Sequence, residues 1–410
     1  MNAAERPAAA QWGEDHRGQD HRGEDHRGQD HGGQDHRGED HRGEDHRGQG
    51  FNRWRLAARL CRRFAGVALD DLYEVSEAQT PYGPCLHLVQ LVQPFGFSLA
   101  SPAAAEDAVL GELRLVCGVG PVTSEALRAG GVGRITDLVD HHRFGGSASW
   151  LVERWERRDL GVLHDHIRHC LGPLGHHPGV ALAGLIAPGG LVIVDLETLG
   201  LWGSSMILFG FARLVGTCLE LHQYLARAGS EEPAALHLAM GVLRECEGLV
   251  TYNGRSADAP WLAQRSAYFG LGKLPVRYHL DLLPPVRRLY RPSSLISADS
   301  APAAGTGLED CRLGTVEAHV LGTPRDLDDL PGEAVPHFYR EYERSRNIGP
   351  LVPIIEHNRA DLVAVARLLC LLSAAVPAPA PAVPSLDAPA PAVPVPASHP
   401  VRARDHVVNR

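Results

Sequence analysis

Four acidic residues in the second half of this 410-residue chain have the types and order needed to hold divalent metal ions. They are Asp195, Glu197, Asp258 and Asp361. Carboxylate oxygens are preferred ligands of hard cations, and such cations neutralise the charge that develops when a phosphate ester is hydrolysed. If the fold brings these four side chains together, the chemistry that they would serve is phosphodiester hydrolysis.

The first two acids follow an apolar run that predicts a buried strand. Residues 191–194 read Leu-Val-Ile-Val and come after two glycines, which is typical of a strand covered on both faces. Successive side chains on a strand point to opposite faces, so Asp195 and Glu197 should point the same way. Taken alone, an Asp-x-Glu pair after a strand also fits a solvated turn.

The segments that follow predict the elements that position the other two acids. Residues 206–214 and 218–225 read as antiparallel strands, 233–247 as a helix and 248–251 as a short strand. Asp258 should then lie at a loop-to-helix junction and Asp361 on a late helix. His357 precedes Asp361 by one helical turn, so both side chains can face the same cleft.

From about residue 190 to 373 the chain resembles the YprB-type ribonuclease H-like family, relatives of the DEDD exonucleases. The resemblance rests on Asp-x-Glu in the first strand, on Asp258 preceded by Asn253, and on Asp361 preceded by His357. It implies an α/β fold in which a mixed RNase H-like sheet is flanked by helices. It also implies that the four acids bind metal and are catalytic.

The family mechanism implies two Mg²⁺ or Mn²⁺ ions. One ion would lower the pKa of the attacking water and the other would stabilise the leaving 3′ oxygen. Asp195 would bridge both ions, and the other three acids would complete their coordination shells. His357 would be the general base, although a structural or substrate-positioning role is also open. Asn253 would orient the substrate or Asp258.

The function expected from this resemblance is a metal-dependent 3′–5′ exonuclease that acts on a single-stranded end of DNA or RNA. The alternative is a non-catalytic nucleic-acid-binding protein that keeps the fold. Four carboxylates favour catalysis, because a binding protein has no reason to gather mutually repelling anions. Ala257 favours the alternative, because the family usually has a large aromatic residue before this acid.

A second candidate nucleic-acid contact lies upstream, in residues 112–144. Gly118-Val-Gly120 could join two short helices, and its glycines would let backbone N–H groups approach an anion. This resembles the helix-hairpin-helix motif, which binds the phosphate backbone without reading sequence. The same pattern also fits a helical hairpin that only packs against the next domain.

A third candidate contact is the segment Arg-Arg-Leu-Tyr-Arg at 287–291. Arg287, Arg288 and Arg291 could bind phosphates while the tyrosine stacks on a base of a single strand. An amphipathic helix with a solvated basic face explains the same residues equally well.

The remaining segments complete the expected domain organisation. Residues 1–50 are predicted to be disordered, because a five-residue His-containing unit without apolar residues repeats from Gly13 to Gly50; a metal-sequestering tract is the alternative. Residues 51–105 predict a small strand-rich region, and 106–160 the helix-hairpin-helix-like module. The nuclease domain should span 186–373, and the Ala/Pro-rich residues 374–410 should form a disordered tail.

Composition narrows the class of protein. A net charge of −9 argues against a protein that coats nucleic acid indiscriminately, although a local basic groove remains compatible with it. The eight cysteines form no Cys-x-x-Cys pair, which argues against zinc ribbons and disulfide frameworks. Without a signal peptide or a membrane-spanning run, we expect a soluble cytoplasmic protein.

Overall fold

The computed structural model describes residues 52–172, 176–200, 203–290, 308–325 and 330–375. The predicted disordered repeat, nearly all of the predicted tail and Arg291 lie outside these residues. Within them, the chain forms a mixed α/β structure around one sheet, as predicted.

The described residues contain a seven-stranded sheet in the order β1-β2-β5-β4-β3-β6-β7. Its strands are β1 Glu74–Thr80, β2 Gly83–Val92, β3 Leu191–Thr198, β4 Met206–Val215, β5 Cys218–Leu225, β6 Gly248–Thr251 and β7 His279–Asp281. The pairings β3–β6 and β6–β7 are parallel, and the others are antiparallel. The sheet is therefore mixed, with the strand that carries Asp195 and Glu197 in its interior.

The predicted secondary structure around the acids is confirmed. Strands β5 and β6 have the predicted bounds, and β4 extends one residue past the predicted end at 214. The predicted helix 233–247 is observed as α7 Glu232–Glu245. These elements are set by local patterns of apolar and polar residues, which is why their sequence identifies them.

Helices cover both faces of the sheet. On one face α12, Leu351–Ala374, packs against β3, β4 and β5. On the other face α7 and α8, Asp258–Tyr268, enclose a core with the alternate side chains of β3. Because β3 is covered on both sides, its four residues before Asp195 are all buried, as a continuous apolar run requires.

The N-terminal helices pack into the same core as α12. They are α2 Pro102–Leu110, α3 Pro121–Ala129, α4 Gly145–Glu156, α5 Leu160–Leu171 and α6 His176–Ala181. Helix α1, Arg53–Arg63, packs instead against the helix at Val335–Ser345. Buried residues of this region, including Leu113, Leu138 and Leu163, share one hydrophobic cluster with Ile193 of β3 and Leu362 of α12. Residues 102–172 and 176–185 therefore form a packed layer on the α12 face of the sheet.

Strands β1 and β2 also confirm the prediction of strands in the N-terminal region, residues 51–105. These strands do not form a separate sheet, because β2 pairs antiparallel with β5. The other described helices are α9 Leu283–Tyr290, α10 Leu313–His319 and α11 Val335–Ser345. No described helix is both long enough and apolar enough to cross a membrane.

Candidate active site

Asp195 and Glu197 lie on the same face of β3, the face that α12 covers. Ile193 precedes them on this face and packs in the core shared with α12, whereas Val194 and Leu196 point into the opposite core. The predicted alternation is therefore observed, and the side chains of both acids meet α12 rather than open solvent. Only 6% of the Glu197 surface is exposed.

The carboxylate of Asp195 is held by Asn358 of α12. The Asn358 Nδ2 donates to Asp195 Oδ2 at 2.7 Å and to the Asp195 main-chain oxygen at 3.0 Å. Gln223 of β5 donates in turn to Asn358 Oδ1 at 2.8 Å and to the main-chain oxygen of Ile355 at 2.9 Å. Gln223 and Asn358 are both fully buried, so the chain of amides fixes one orientation of Asp195.

Asp258 is the first residue of α8, as its predicted loop-to-helix position requires. The main-chain N–H groups of Asp258 itself and of Leu196 donate to its carboxylate. The bond from Leu196 ties α8 to β3 between the two acids of that strand. Asp258 is 8% exposed, so it is buried as Glu197 is.

Asp361 and His357 lie one turn apart on α12, and both contact Arg325. Arg325 Nη2 forms an ion pair with Asp361 Oδ1, and its Nε donates to Glu317 of α10 at 2.5 Å. Arg325 Nη1 is 3.1 Å from His357 Nδ1. His357 Nε2 is 3.8 Å from Asp361 Oδ2. One guanidinium therefore links both α12 residues to α10.

The contacts of His357 define its neutral tautomer. A guanidinium N–H can only donate, so Nδ1 must accept from Arg325 and the proton must reside on Nε2. In this arrangement the imidazole has no free lone pair to take a proton. A general-base role for His357 therefore requires Arg325 to withdraw from Nδ1.

The acids are close enough to shift one another's pKa. Burial, followed by the charges of Asp361, Glu197 and Asp258, raises the pKa of Asp195 well above its usual value. Burial is also the main cause that raises the pKa of Glu197 to about 8 and that of Asp258 to about 7. The charge of Asp361 adds to both of these shifts. The strand, the start of α8 and α12 thus bring the four acids to one electrostatic site.

The donor set fits divalent cations. Burial and mutual repulsion raise the free energy of the ionised carboxylates. A bound divalent cation offsets that cost, because carboxylate oxygens are ligands that hard cations prefer. Among the described residues, no three His, Cys, Asp or Glu side chains are already arranged as ligands of one ion. The partners explain this, because Asp195 is turned to Asn358 and Asp361 to Arg325. Metal binding would thus require Asp361 to exchange Arg325 for a cation, while Asn358 stays bound to Oδ2 of Asp195.

Asn253 lies next to this site on the loop between β6 and α8. It has a left-handed backbone, with φ of 65°, and its N–H donates to Asp281 at 2.8 Å. Asp281 also accepts from the N–H groups of Arg255 at 3.1 Å and Leu283 at 3.0 Å. Asp281 was not predicted to be a ligand, and here it fixes the loop that leads to Asp258.

The other predicted nucleic-acid contacts lie on two separate elements. Arg287 and Arg288 are on α9, whose apolar residues Leu283 and Val286 are buried. This is the amphipathic helix that the sequence analysis kept as an alternative. Arg287 is exposed and lines a cavity beside Asn253, so the two interpretations are compatible.

Gly118 and Gly120 precede α3 as predicted, and Gly118 has a φ of 84° that favours glycine. The residues before them form only a short 3₁₀ turn, Leu113–Leu115, rather than an α-helix. Nearby arginines are engaged within the protein: Arg114 pairs with Glu112 at 2.6 Å, and Arg134 with Glu106 at 3.0 Å. The helix-hairpin-helix interpretation remains a prediction.

Sequence reasoning missed Asn358, Gln223 and Arg325 as parts of the site. Asn358 carried one usable signal, since it lies three residues before Asp361 and therefore on a similar face of the helix. Gln223 carried a weaker signal, as a polar residue on a strand that is otherwise buried on that side. Arg325 carried none, because its contact with Asp361 joins segments 36 positions apart.

Comparison with known proteins agrees with the geometry. Residues 192–373 match the RNase_H_2 family of the RNase H superfamily. No match to a curated protein was found. The matched segment contains all four acids and begins one residue after the start of β3, with α7, α8 and α12 against its sheet. Residues 192–373 are therefore an RNase H-like domain.

Proposed function

We propose that the protein is a metal-dependent nuclease that hydrolyses phosphodiester bonds of DNA or RNA from a 3′ end. The observation that carries the proposal is the convergence of Asp195, Glu197, Asp258 and Asp361 from three elements onto one buried site. Structural acids are normally exposed or paired one-to-one with cations, because unpaired buried carboxylates destabilise a fold. A catalytic requirement for cations accounts for this cluster.

The four acids would hold two Mg²⁺ or Mn²⁺ ions, as in the exonuclease family that the sequence resembles. When bound, such ions lower the pKa of a water molecule and stabilise the negative charge on the phosphate and on the leaving oxygen. Of this chain's own residues, Asn358 would keep Asp195 oriented while the charge at the site changes. Glu197, with a pKa of about 8, would release its proton as a cation binds.

Arg325 and His357 would act in sequence. In the absence of other cations Arg325 neutralises Asp361 and occupies the Nδ1 lone pair of His357. If Asp361 exchanges the guanidinium for a divalent cation, Arg325 loses its strongest partner at α12. Without the guanidinium donor, Nδ1 of His357 could accept a proton from the attacking water. Arg325 would in that case be a positioning residue.

The experiment is cleavage of end-labelled DNA and RNA, single- and double-stranded, by the full chain with Mg²⁺ or Mn²⁺. We expect Asp195→Asn to reduce cleavage by at least about 10²-fold, because the substitution removes a charged group at the reacting centre. The matched control is Asp70→Asn, since Asp70 is an exposed acid on a 3₁₀ turn outside the site.

The position of the label gives the direction of cleavage. A 5′-labelled strand should shorten in single-nucleotide steps, whereas a 3′-labelled strand should release labelled mononucleotide at once. Internal fragments from both labels would indicate an endonuclease. Equal cleavage by wild type and Asp195→Asn would refute the catalytic proposal and favour a non-catalytic nucleic-acid-binding protein.

A further inference from the structure

A cavity of about 340 Å³ lies beside the acids, where the N-terminal helical layer meets the RNase H-like domain. His164 and Arg168 of α5 form one wall. Asn253 and Arg255 on the loop before α8 form another, and α9 contributes Arg287. The loop that lines the cavity continues into Asp258, and the charge of Asp281 in the cavity wall helps to raise the pKa of Asp258, so the cavity adjoins the candidate active site.

The cavity is positively charged. Its described lining residues include three arginines, Arg168, Arg255 and Arg287, and one acid, Asp281. Asp281, whose carboxylate is held by hydrogen bonds from three main-chain N–H groups, offsets part of this charge, and the arginines remain in excess of it. Asp165 lies nearby but is 69% exposed and approaches Arg168 and Arg255 no closer than 3.7 Å. Water screens such an exposed pair strongly.

The arginines help to lower the pKa values of neighbouring basic groups. Burial, then the charges of Arg255 and Arg168, lowers the pKa of His164 to about 3, and the same causes lower that of His279 to about 3. Burial and Arg168 also lower the pKa of Arg255. The region therefore has a deficit of negative charge, which an anion would supply.

The position of Arg255 is fixed by its contacts. Its Nη2 donates to the main-chain oxygen of His279 at 2.5 Å and is 3.1 Å from His164 Nδ1. Arg168 and Arg287 are exposed and can move towards a ligand. One fixed and two mobile guanidinium groups can surround a phosphate, which arginine binds with paired hydrogen bonds.

The remaining walls are apolar. Val180 of α6, Leu280 of β7, and Leu283 and Pro284 at the start of α9 line the cavity. Its volume is at the lower end of small-ligand sites, which suits one nucleotide but not a duplex. An arginine cluster beside an apolar wall can hold a phosphate and, next to it, the face of a base.

We propose that this cavity binds a nucleoside phosphate, and that its source is a nucleotide of the single strand engaged at the adjacent acids. That the nucleotide belongs to a strand rests on the proposed nuclease function. That the cavity binds a nucleoside phosphate rests on the cavity's own residues. A free mononucleotide presents the same chemistry, and the binding experiment separates the two sources.

The test is binding in EDTA, where cleavage is not expected, measured by fluorescence anisotropy of labelled oligothymidylate and oligouridylate of about ten nucleotides. The test variant is Arg168→Gln with Arg287→Gln, because both side chains are exposed and their loss should not affect folding. The control is Arg53→Gln with Arg340→Gln, which removes two exposed arginines that do not line the cavity.

We expect the test variant to weaken strand binding by about 10-fold or more, because it removes two guanidinium groups that would make charge-assisted hydrogen bonds to phosphate. The slope of log affinity against log salt should fall by about 1.4, since about 0.7 is lost for each single-strand phosphate contact. The control variant should bind as wild type does. Ser256→Tyr, which places a ring at the cavity mouth without changing charge, should also weaken binding.

Thymidine and uridine 5′-monophosphates, with inorganic phosphate beside them, serve as calorimetric probes. If only mononucleotide binding depends on Arg168 and Arg287, the cavity is a nucleoside phosphate site whose source is free nucleotide, and the strand assignment is overturned. If the Arg168→Gln/Arg287→Gln variant and Ser256→Tyr both bind every probe as wild type does, the cavity proposal is refuted. Cleavage that depends on Asp195 would then still support the nuclease, whereas arginine-dependent binding without cleavage would refute only the nuclease.

Discussion

The side chain of Asn358 occupies the space that a Cβ atom on Gly210 would take. Gly210 lies opposite Asp195 in the β3–β4 pairing, and a Cβ built on it would overlap Asn358 Oδ1 and lie 2.7 Å from Nδ2. Asn358 reaches Asp195 across this gap in the surface of the sheet. The orientation of Asp195 thus depends on a missing side chain on the neighbouring strand.

We therefore expect Gly210→Ala to impair the site. The added methyl group must displace a buried amide that also bonds to Gln223, and overpacking of this kind costs about 1–3 kcal/mol. Urea denaturation should show that loss, and the cleavage rate should fall as Asp195 loses its fixed orientation.

The control for this substitution is Gly241→Ala. Gly241 lies within α7, where a Cβ would meet no atom within 4 Å. Alanine there should stabilise the protein by about 0.5–1 kcal/mol, because it favours the helix. Equal effects of the two substitutions would show that the space around Gly210 is not special.

The raised pKa values predict how the stability of the metal-free protein depends on pH. Folding raises the pKa of Glu197 from 4.5 to about 8 and that of Asp258 from 3.8 to about 7. The folded state then binds more protons than the unfolded state, so the free energy of unfolding falls as pH rises through this range. His164 and His279, whose pKa values are lowered from 6.5 to about 3, oppose this only below about pH 6.5.

Between about pH 6.5 and 8 the melting temperature in EDTA should therefore decrease. Glu197→Gln should flatten the decrease, since the glutamine carries no titrating proton. Mg²⁺ or Mn²⁺ should also flatten it, because the cations stabilise the ionised acids. A melting temperature independent of pH in EDTA would contradict the buried, interacting acids.

Arg325 should compete with divalent cations for Asp361. Arg325→Gln leaves Glu317, which is 5% exposed, and Asp361 without their guanidinium partner. Breaking a buried ion pair in this way costs about 3–5 kcal/mol, so we expect lower stability in EDTA. Saturating Mn²⁺ should raise the melting temperature of the variant more than that of wild type, since no guanidinium must leave.

The matched control is Arg344→Gln, which removes an arginine that is 74% exposed and pairs with Glu341. Its stability should change by less than about 1 kcal/mol. Identical Mn²⁺-induced shifts in wild type and Arg325→Gln would mean that the guanidinium and the metal ion do not share Asp361.

Local patterns predicted much of the fold, and long-range contacts account for what they did not predict. Residues 218–225 and 248–251 form strands with the expected bounds. Their local pattern of apolar and polar residues is enough to predict a strand. The pairing of β2 with β5 joins residues 127 to 139 positions apart, and no local period encodes it. The sequence therefore predicted the strands of the N-terminal region but not their place in the sheet.

The same division applies to the site. The strand pattern predicted that Asp195 and Glu197 share a face, and the resemblance to the exonuclease family singled out Asp258 and Asp361. Asn358 supports Asp195 only because Gly210 leaves room for it, and this complementarity appears only in three dimensions. The cavity beside Asn253 likewise requires α5 and α9 to meet, although they are over 100 positions apart.

The last prediction concerns His357 as the general base. We expect His357→Gln to lower kcat by about 10²–10⁴-fold with little change in KM, since it removes proton transfer but no metal-binding carboxylate. Wild-type kcat should rise with pH as a single group loses a proton, and the variant should lose that rise. If the histidine only positions the substrate, KM should increase while the pH dependence of kcat persists. Arg325→Gln, which frees Nδ1, should retain the pH-dependent rise and so distinguishes the base from the residue that restrains it.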